Sequence, residues 1–269
     1  DWRTVPVPTT WNTLRPEWLH FEGSAWYARD FDFAPGAAGE RVLLRVGAAN
    51  YEARVFLNGV FVGAHRGGST PFCVELTGHL VAGRNRLVVQ VENRRRRDRV
   101  PMNHTDWFNY GGLYREVSLV RLPPVFVADF GATLVVGSGG TRIAVDITLS
   151  DAVDGVAEVE IDGLLAPLAI AIASGSGHTE VDVRPVPWSP SRPHLYEVAV
   201  RFGEDIVRDR IGFREIRRDG RRLLLNGDDL QLRGICVHED DADAGKTTSE
   251  ADLRRRCAAA RALGATFVR

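Results

Sequence analysis

The feature that most constrains the fold is an alternation of apolar and polar residues that runs to about residue 122. Segments such as 41–46, RVLLRV, and 85–93, NRLVVQVEN, place an apolar side chain at every second position, which is the period of a strand with one buried face. Asn58-Gly59 separates two such segments, and a type I′ hairpin turn requires positive φ at both of its central residues. The pattern therefore predicts short antiparallel strands in an all-β sandwich of jelly-roll size.

Pro123-Pro124 interrupts this pattern. Neither proline can donate to a strand ladder, so we expect a domain boundary at this point. Residues 123–212 then repeat the short-strand pattern over about ninety positions, which is the size of an immunoglobulin-like β-sandwich. The first domain is therefore predicted at 1–122 and the second at 123–212.

The pattern changes again after about residue 212. Residues 223–238 predict a hairpin and an apolar strand, and 247–264 give the first helical pattern, with Ser249 as the cap and Asp252 completing a capping box. Leu253, Cys257, Ala260 and Leu263 share one face of that helix, and Gly264 ends it. An apolar segment follows, so strand, helix and strand predict a βαβ unit, which requires a parallel sheet. One unit is too small for a domain, and 213–269 is predicted to be the start of a truncated one.

Composition restricts the partners of the chain. Its 34 basic and 35 acidic residues give a net charge of −1, which provides no reason to expect a nucleic-acid or membrane partner. No run is apolar enough to span a bilayer, and the first residues lack the features of a signal peptide. Cys73, Cys236 and Cys257 lie within apolar patterns and are odd in number. We therefore expect buried, reduced thiols and a cytoplasmic location, with an extracellular protein as the open alternative.

The segment 235–245, ICVHEDDADAG, places a histidine and four carboxylates where an apolar strand ends. An active-site loop, a cation site and a solvated turn all fit this composition. Calcium would require Glu239, Asp241, Asp243 and Glu250 to act as ligands, but Ala244 stands where the sharp turn of such a loop needs glycine. We therefore predict no metal site.

The segment 103–112, NHTDWFNYGG, joins a carboxylate to aromatic residues and paired glycines. A sugar site uses such groups, because the acid accepts hydrogen bonds from hydroxyls while aromatic faces pack on C–H groups. The alternative is that Asp106 caps its loop while Trp107 and Tyr110 belong to the core. The basic run upstream, 93–99, is interpreted as a solvated hairpin tip. A second interpretation is that its arginines attract an acidic sugar.

Six segments in this order closely resemble glycoside hydrolase family 2, the family of β-galactosidases, β-glucuronidases and β-mannosidases. The six segments are GSAWYARDF (23–31), FLNGVFVGAHRGGSTPFCVELT (56–77), WFNYGGLYREVSLV (107–120), WSPSRPHLY (188–196), IGFREI (211–216) and LLLNGDDLQLRGICVHED (223–240). The resemblance implies a mainly β chain: a jelly-roll sugar-binding sandwich, an immunoglobulin-like sandwich, and the first βαβ unit of a truncated (β/α)₈ TIM barrel.

The resemblance also implies roles for particular residues. Asp106 matches the acid that binds the hydroxyls of the terminal sugar, and His238 matches a histidine at the rim of the sugar pocket. Asp240 follows in the same HED motif and is predicted to contact substrate as well. Asn109 and Tyr110 are expected to shape their loop. Both catalytic glutamates of the family are expected beyond Arg269, so no catalytic residue is predicted within this chain.

The resemblance implies that the chain belongs to a retaining exo-β-glycosidase of β-galactosidase or β-glucuronidase type, which acts on a terminal β-linked sugar. Because the catalytic glutamates are expected elsewhere, the 269 residues alone are predicted to be inactive. No organic cofactor is implied, although some members of the family use bound cations. A carbohydrate is the expected partner, and a homo-oligomer remains open. The alternative is a non-catalytic carbohydrate-binding or assembly module.

Overall fold

A computed structural model describes residues 2–269, and this part of the chain is mainly β. The first nine strands are β1 (Ser24–Phe33), β2 (Arg41–Val46), β3 (Ala49–Asn50), β4 (Glu52–Leu57), β5 (Val60–Arg66), β6 (Phe72–Glu75), β7 (Gly83–Glu92), β8 (Gly112–Leu113) and β9 (Val117–Leu122). The next seven are β10 (Val127–Leu134), β11 (Arg142–Leu149), β12 (Gly155–Ile161), β13 (Leu165–Ile172), β14 (Ser176–Asp182), β15 (Tyr196–Phe202) and β16 (Asp205–Ile211). The remaining elements are β17 (Ile216–Asp219), β18 (Arg222–Leu225), β19 (Asp228–Asp229), β20 (Gly234–Ile235), α1 (Glu250–Ala262) and β21 (Phe267–Val268).

Contacts divide the chain into two compact units. The first contains the residues up to Leu122 together with Cys236–Ala262, and the second contains Pro123–Ile235 together with Leu263–Arg269. These units group residues by contact, and the predicted three-domain division at 122 and 212 stays a prediction. No helix of the described residues is long and apolar enough to cross a membrane.

The first unit is built around two antiparallel sheets, one with strand order β1-β7-β4-β5 and one with strand order β6-β2-β9. Val55 and Leu57 of β4 and Leu44 and Val46 of β2 are fully or almost fully buried and belong to one apolar cluster. Because side chains alternate along a strand, this cluster takes one face of each sheet. The core of the unit therefore lies between the two sheets.

The predicted hairpin at Asn58-Gly59 is confirmed. Asn58 has φ 51° and Gly59 has φ 83°, and the two residues join β4 to β5 with Leu57 paired to Val60. The side chain of Asn58 reinforces the turn, since its Oδ1 accepts from the N–H of Arg86 at 2.9 Å. Both central residues thus adopt the positive φ that the turn requires.

The second unit has a similar plan with different strands. Two antiparallel sheets, β10-β11-β14 and β13-β12-β15-β16, enclose a single apolar cluster that includes Ile143, Val145, Val159 and Val200. The sheet β17-β18-β19 follows, and its second turn, Asn226-Gly227 with φ 54° and 92°, lies in the hairpin predicted within 223–238. Strands β20 and β21 pair in parallel, as predicted from the sequence.

The capping box at the start of α1 is also confirmed. The Oγ of Ser249 accepts from the N–H of Asp252 at 3.2 Å, and Oδ2 of Asp252 accepts from the N–H of Ser249 at 3.0 Å. Gly264 has φ 68° just after the helix. The apolar face, however, is largely uncovered within the described chain: Ala260 is buried, while Leu263 is 74% exposed.

The prediction that the three cysteines are buried is wrong. Cys73, Cys236 and Cys257 are all exposed in the described chain. The reason is visible at Cys73, whose neighbour Val74 is buried on β6. Successive side chains of a strand point to opposite faces, so an apolar segment buries only one of the two positions.

Candidate functional site

Asp106 lies in the long loop that joins β7 to β8. Its side chain is exposed, and within residues 2–269 its carboxylate has no hydrogen bond or ion pair to another group. Trp107 beside it is 39% exposed, so the alternative that placed Trp107 in the core is wrong. The loop therefore presents a free carboxylate next to an accessible indole ring, a pairing that suits a polyhydroxylated ligand.

Arg95 holds the backbone on both sides of Asp106. Its Nη1 donates to the carbonyl of Thr105 at 3.2 Å, and its Nη2 donates to the carbonyl of Trp107 at 3.3 Å. Its Nε donates to Oε1 of Glu22 at 2.8 Å, which fixes the guanidinium itself. The planar fork of an arginine can serve several acceptors at once, so one side chain immobilises the three-residue segment around Asp106.

The interpretation of 93–99 as a solvated hairpin tip is therefore wrong for two of its arginines. Arg95 is engaged as described, and Arg99 is only 3% exposed, with its Nη2 2.8 Å from Oε2 of Glu52. A buried guanidinium needs such a partner, because an unpaired charge in the interior is costly. Arg94 and Arg97 are exposed, as the interpretation predicted.

Three buried asparagines shape the same loop. Nδ2 of Asn109 donates to the carbonyl of Asn93 at 2.6 Å, and Nδ2 of Asn93 donates back to the carbonyl of Asn109 at 3.1 Å. Asn50 donates to Oδ1 of Asn109 at 3.2 Å and also to the carbonyl of Tyr110. The prediction that Asn109 shapes the loop is confirmed. No local pattern pointed to Asn50 or Asn93, because their partners lie far along the chain.

The paired glycines let the end of this loop lie against the N-terminal segment. A Cβ on Gly111 would clash with the indole of Trp11, and the N–H of Gly111 donates to Oδ1 of Asn12 at 2.8 Å. Gly112 has φ 130°, and a Cβ there would lie 2.7 Å from the carbonyl oxygen of Thr9. Close approach and positive φ, both of which favour glycine, thus occur at these two adjacent positions.

The second part of the candidate site is the segment after β20. His238 is exposed and Asp240 is half-buried. Their backbone carbonyls both accept from the guanidinium of Arg256 on α1, at 3.2 Å for Asp240. The helix thus fixes the backbone while the imidazole of His238 stays free to meet a ligand.

Asp241 has the role that the solvated-turn interpretation predicted. Its Oδ1 accepts from the N–H of Asp243 at 2.9 Å and from the N–H of Ala244 at 3.0 Å. These two backbone bonds hold the pKa of Asp241 below its usual value, because they favour the ionised form. Asp243 is exposed and receives no role.

The first unit brings this segment against the loop of Asp106. Arg115 donates to Oε2 of Glu239 at 2.9 Å and to the carbonyl of Lys246 at 2.6 Å. A Cβ on Gly245 would lie 2.9 Å from the ring of Tyr110, so the backbone there packs directly on that ring. Burial, and then the charges of Asp240 and Asp241, raise the pKa of Tyr110.

The three predicted sugar contacts are thus only partly brought together. The charge of Asp240 contributes to the raised pKa of Tyr110, which follows Asp106 by four positions in the same loop. Within the described residues, Asp106 makes no hydrogen bond or ion pair with His238 or Asp240. The two segments thus meet where Gly245 packs on Tyr110, and within the described residues the three side chains make no hydrogen bond or ion pair.

The calcium alternative is not supported by the geometry. Glu239 is paired with Arg115, Oδ1 of Asp241 accepts backbone N–H groups, and Oε1 of Glu250 accepts from Nε of Arg254 at 3.0 Å. Over residues 2–269, no group of three or more histidine, cysteine or acidic side chains is arranged to hold a metal ion. The carboxylates of Glu239, Asp241 and Glu250 thus serve ion pairs and hydrogen bonds.

Comparison with known proteins gives a consistent result. Residues 2–123 match the family model described as the sugar binding domain of glycosyl hydrolases family 2. A β-glucuronidase of Paenibacillus borealis is 28% identical over 92% of the chain, and a β-galactosidase of Thermoanaerobacter pseudethanolicus is 29% identical over 80%. The crystal structure of a GH2 β-galacturonidase from Eisenbergiella tayi, bound to glycerol, has a TM-score of 0.83 and 29% identity over 98% of the chain.

The chain spans less than half of each of these proteins. It covers 46% of the glucuronidase, 32% of the galactosidase and 48% of the galacturonidase. The matches confirm the resemblance predicted from the six sequence segments.

Proposed function

We propose that this chain, whose residues 2–123 match the model of the sugar binding domain of glycosyl hydrolases family 2, is the N-terminal portion of a glycosidase. The activity would be that of a retaining exo-β-glycosidase acting on a terminal β-linked glucuronide or galactoside. Support comes from relatives named β-glucuronidase and β-galactosidase, which are more than twice as long as the part that this chain matches.

The proposed architecture has three parts. Residues 1–122 would form a jelly-roll sugar-binding sandwich, 123–212 an immunoglobulin-like sandwich, and 213–269 the first βαβ unit of a TIM barrel. The paired antiparallel sheets of both compact units support the two sandwiches, and the parallel pairing of β20 with β21 supports the barrel start. In such a barrel, residues at the carboxyl ends of strands face the active site, and His238 and Asp240 follow β20.

Within this proposal, Asp106 accepts hydrogen bonds from hydroxyls of the terminal sugar. His238 donates to a further hydroxyl, and Asp240 adds a further acceptor. Hydrolysis with retention requires two carboxyl groups about 5 Å apart, one an acid/base and one a nucleophile. These would be glutamates outside the present residues, so the chain contributes binding and orientation to the reaction. The aglycone would leave with acid assistance, and water would then release the sugar from a covalent glycosyl-enzyme.

The observation that carries the proposal is the loop of Asp106. Its carboxylate is exposed and unpaired in the described chain, while Arg95 and the buried Asn109 immobilise the backbone around it. A carboxylate held in place without a protein partner is poised for a ligand, because no internal interaction must be broken when the ligand binds.

The test is glycoside binding by the chain itself. Phenyl β-D-glucuronide and phenyl β-D-galactoside are titrated into the unaltered chain, into Asp106→Asn and into Asp243→Asn, with NMR line broadening of the ligand as the readout. We expect one glycoside to bind and Asp106→Asn to weaken it about tenfold or more, the usual effect of losing a hydrogen bond to a charged group. Asp243→Asn, which removes an exposed carboxylate without an assigned role, should bind like the unaltered chain. Equal affinities of Asp106→Asn and the unaltered chain would contradict the assignment.

A further inference from the structure

The segment from His238 to Lys246, here called the docked loop, takes its internal shape from its own residues. The N–H groups of Asp241 and Gly245 donate to each other's carbonyls at 2.9 Å, and the carboxylate of Asp241 closes the turn between them. None of these bonds reaches the sandwich. The position of the docked loop on the sandwich of the first unit must therefore be set by other contacts.

Those contacts converge on Arg115. This residue lies just before β9, and its guanidinium spans the docked loop, with Nη2 on Glu239 near one end at 2.9 Å and Nη1 on the carbonyl of Lys246 at the other end at 2.6 Å. The backbone of Arg115 is itself fixed, because the N–H of Gly47 donates to the carbonyl of the next residue, Glu116, at 2.8 Å.

The two bonds of Arg115 differ in strength because they differ in their exposure to water. The side chains of Arg115 and Glu239 are 29% and 51% exposed, and an ion pair so accessible to water contributes little. The bond to the carbonyl of Lys246 is only partly exposed and is charge-assisted, so it is the stronger of the two. Loss of Glu239 should therefore loosen the docked loop less than loss of Arg115.

We propose that Arg115 is a positioning residue, which fixes the docked loop on the sandwich that carries Asp106. Resting on the proposed function, the inference is that Arg115 sets the spacing between Asp106 on one loop and His238 and Asp240 on the other without touching the sugar. Gly245 completes the arrangement, since its backbone at φ 59° packs on Tyr110 and leaves no room for a Cβ.

The sequence offers a single-site readout of this arrangement. Lys246 is the one lysine among the 269 residues, so a lysine-specific endoprotease cuts the folded chain at one place, within the docked loop. Its carbonyl is the group that Arg115 holds. The protease needs an extended, detached segment, so the cleavage rate reports how often the docked loop leaves the sandwich.

The experiment compares the unaltered chain with Arg115→Gln, Glu239→Gln and Arg121→Gln, none of which adds a lysine. Arg121 is the matched control, since it also pairs with a glutamate, Glu40, at 2.6 Å, but lies at the far end of β9. We expect Arg115→Gln to accelerate cleavage about tenfold, the effect of losing a charge-assisted hydrogen bond. Glu239→Gln should accelerate it less, and Arg121→Gln should leave it unchanged.

A second readout separates positioning from general stability. Thermal unfolding of Arg115→Gln and Arg121→Gln should be shifted to a similar small extent, while only Arg115→Gln should weaken binding of the phenyl glycoside. Unchanged cleavage in Arg115→Gln would overturn the proposal. The proposal would also be overturned if Arg115→Gln were cleaved faster but kept its affinity for the glycoside, while Asp106→Asn had lost that affinity. If the unaltered chain binds no glycoside, the proposed function fails on that result, and the cleavage rates alone decide whether Arg115 holds the docked loop.

Discussion

Arg95 influences Asp106 without contacting its carboxylate, through the carbonyls of Thr105 and Trp107. We expect Arg95→Gln to weaken binding of glucuronide and galactoside by the same factor, about tenfold, because glutamine cannot serve both carbonyls. Arg96→Gln is the matched control, since the guanidinium of Arg96 pairs with Glu92 at the surface, at 3.0 Å. Both affinities are measured by ligand NMR. Loss of glucuronide binding alone would mean that the charge of Arg95 attracts an acidic sugar.

The pKa of Tyr110 depends on the contact between the loop of Asp106 and the docked loop. Burial is the main cause of its raised pKa, and the carboxylates of Asp240 and Asp241 add to the effect by disfavouring a second negative charge. Asp240→Asn should therefore lower the pKa of Tyr110, while Asp243→Asn, which removes a charge not among these causes, should leave it unchanged. The ring resonances of Tyr110 are followed against pH by NMR. A pKa that is insensitive to Asp240 would place the two loops apart.

For individual residues, the sequence predicted those that belong to a recognisable motif and missed those that hold the motif's backbone in place. Asp106, His238 and Asp240 could be selected from short segments whose chemistry and order resemble a known family. Asn50 and Arg115 could not be selected, because their partners are distant in the chain, as Asn50 and Asn109 show. Such contacts follow from the folded arrangement and leave no local pattern.

Among the elements, the β4–β5 hairpin depends on backbone conformation more than on packing. A Cβ on Gly59 would meet no atom within 4 Å, yet the residue has φ 83°. Gly59→Ala should therefore lower the free energy of unfolding by about 1–2 kcal/mol, the cost of placing an L-residue in a left-handed conformation. Gly78→Ala is the control, because Gly78 also has free space but no positive φ. Denaturant unfolding checks both, and equal stabilities would contradict the assigned turn.

The capping box of α1 predicts a pH dependence. Hydrogen bonds from the side chain and then the backbone of Ser249 lower the pKa of Asp252 to about 2. Because the folded-state pKa is depressed, the stabilisation is complete above the unfolded pKa of about 3.9 and is lost as pH falls through about 2. Asp252→Asn should lower the thermal midpoint near neutral pH and have little effect at about pH 2. Ser249→Ala should remove most of this pH dependence, and a constant difference between Asp252→Asn and the unaltered chain would contradict the capping box.

The elements themselves were largely predictable because local rules decide them. Alternation predicted 41–46, which is β2, and 85–93, which corresponds to β7 at Gly83–Glu92. Asn-Gly turns and the capping box followed from backbone requirements. The prediction of buried cysteines was wrong because the alternation of a strand also exposes apolar residues. Leu263 is exposed because the apolar face of α1 is largely uncovered within the described residues.

The chain as a whole is proposed to be one portion of a glycosidase. The match over residues 2–123 and the relatives of more than twice the matched length support it. A binding module without catalytic residues is the alternative. Hydrolysis with retention of configuration requires a pair of carboxyl groups. A glycosidase gene must therefore encode this pair in a barrel beyond the present residues, whereas the gene of a binding module need not.

The most direct test is to read the coding DNA on the C-terminal side of Arg269 in the source and to assay the complete product on phenyl β-D-glucuronide and phenyl β-D-galactoside. We predict an open frame that continues through a barrel with two glutamates, and a product that hydrolyses one of the two glycosides with retention of configuration. A stop codon directly after Arg269, with no hydrolysis by the encoded chain, would contradict the glycosidase and leave the binding module.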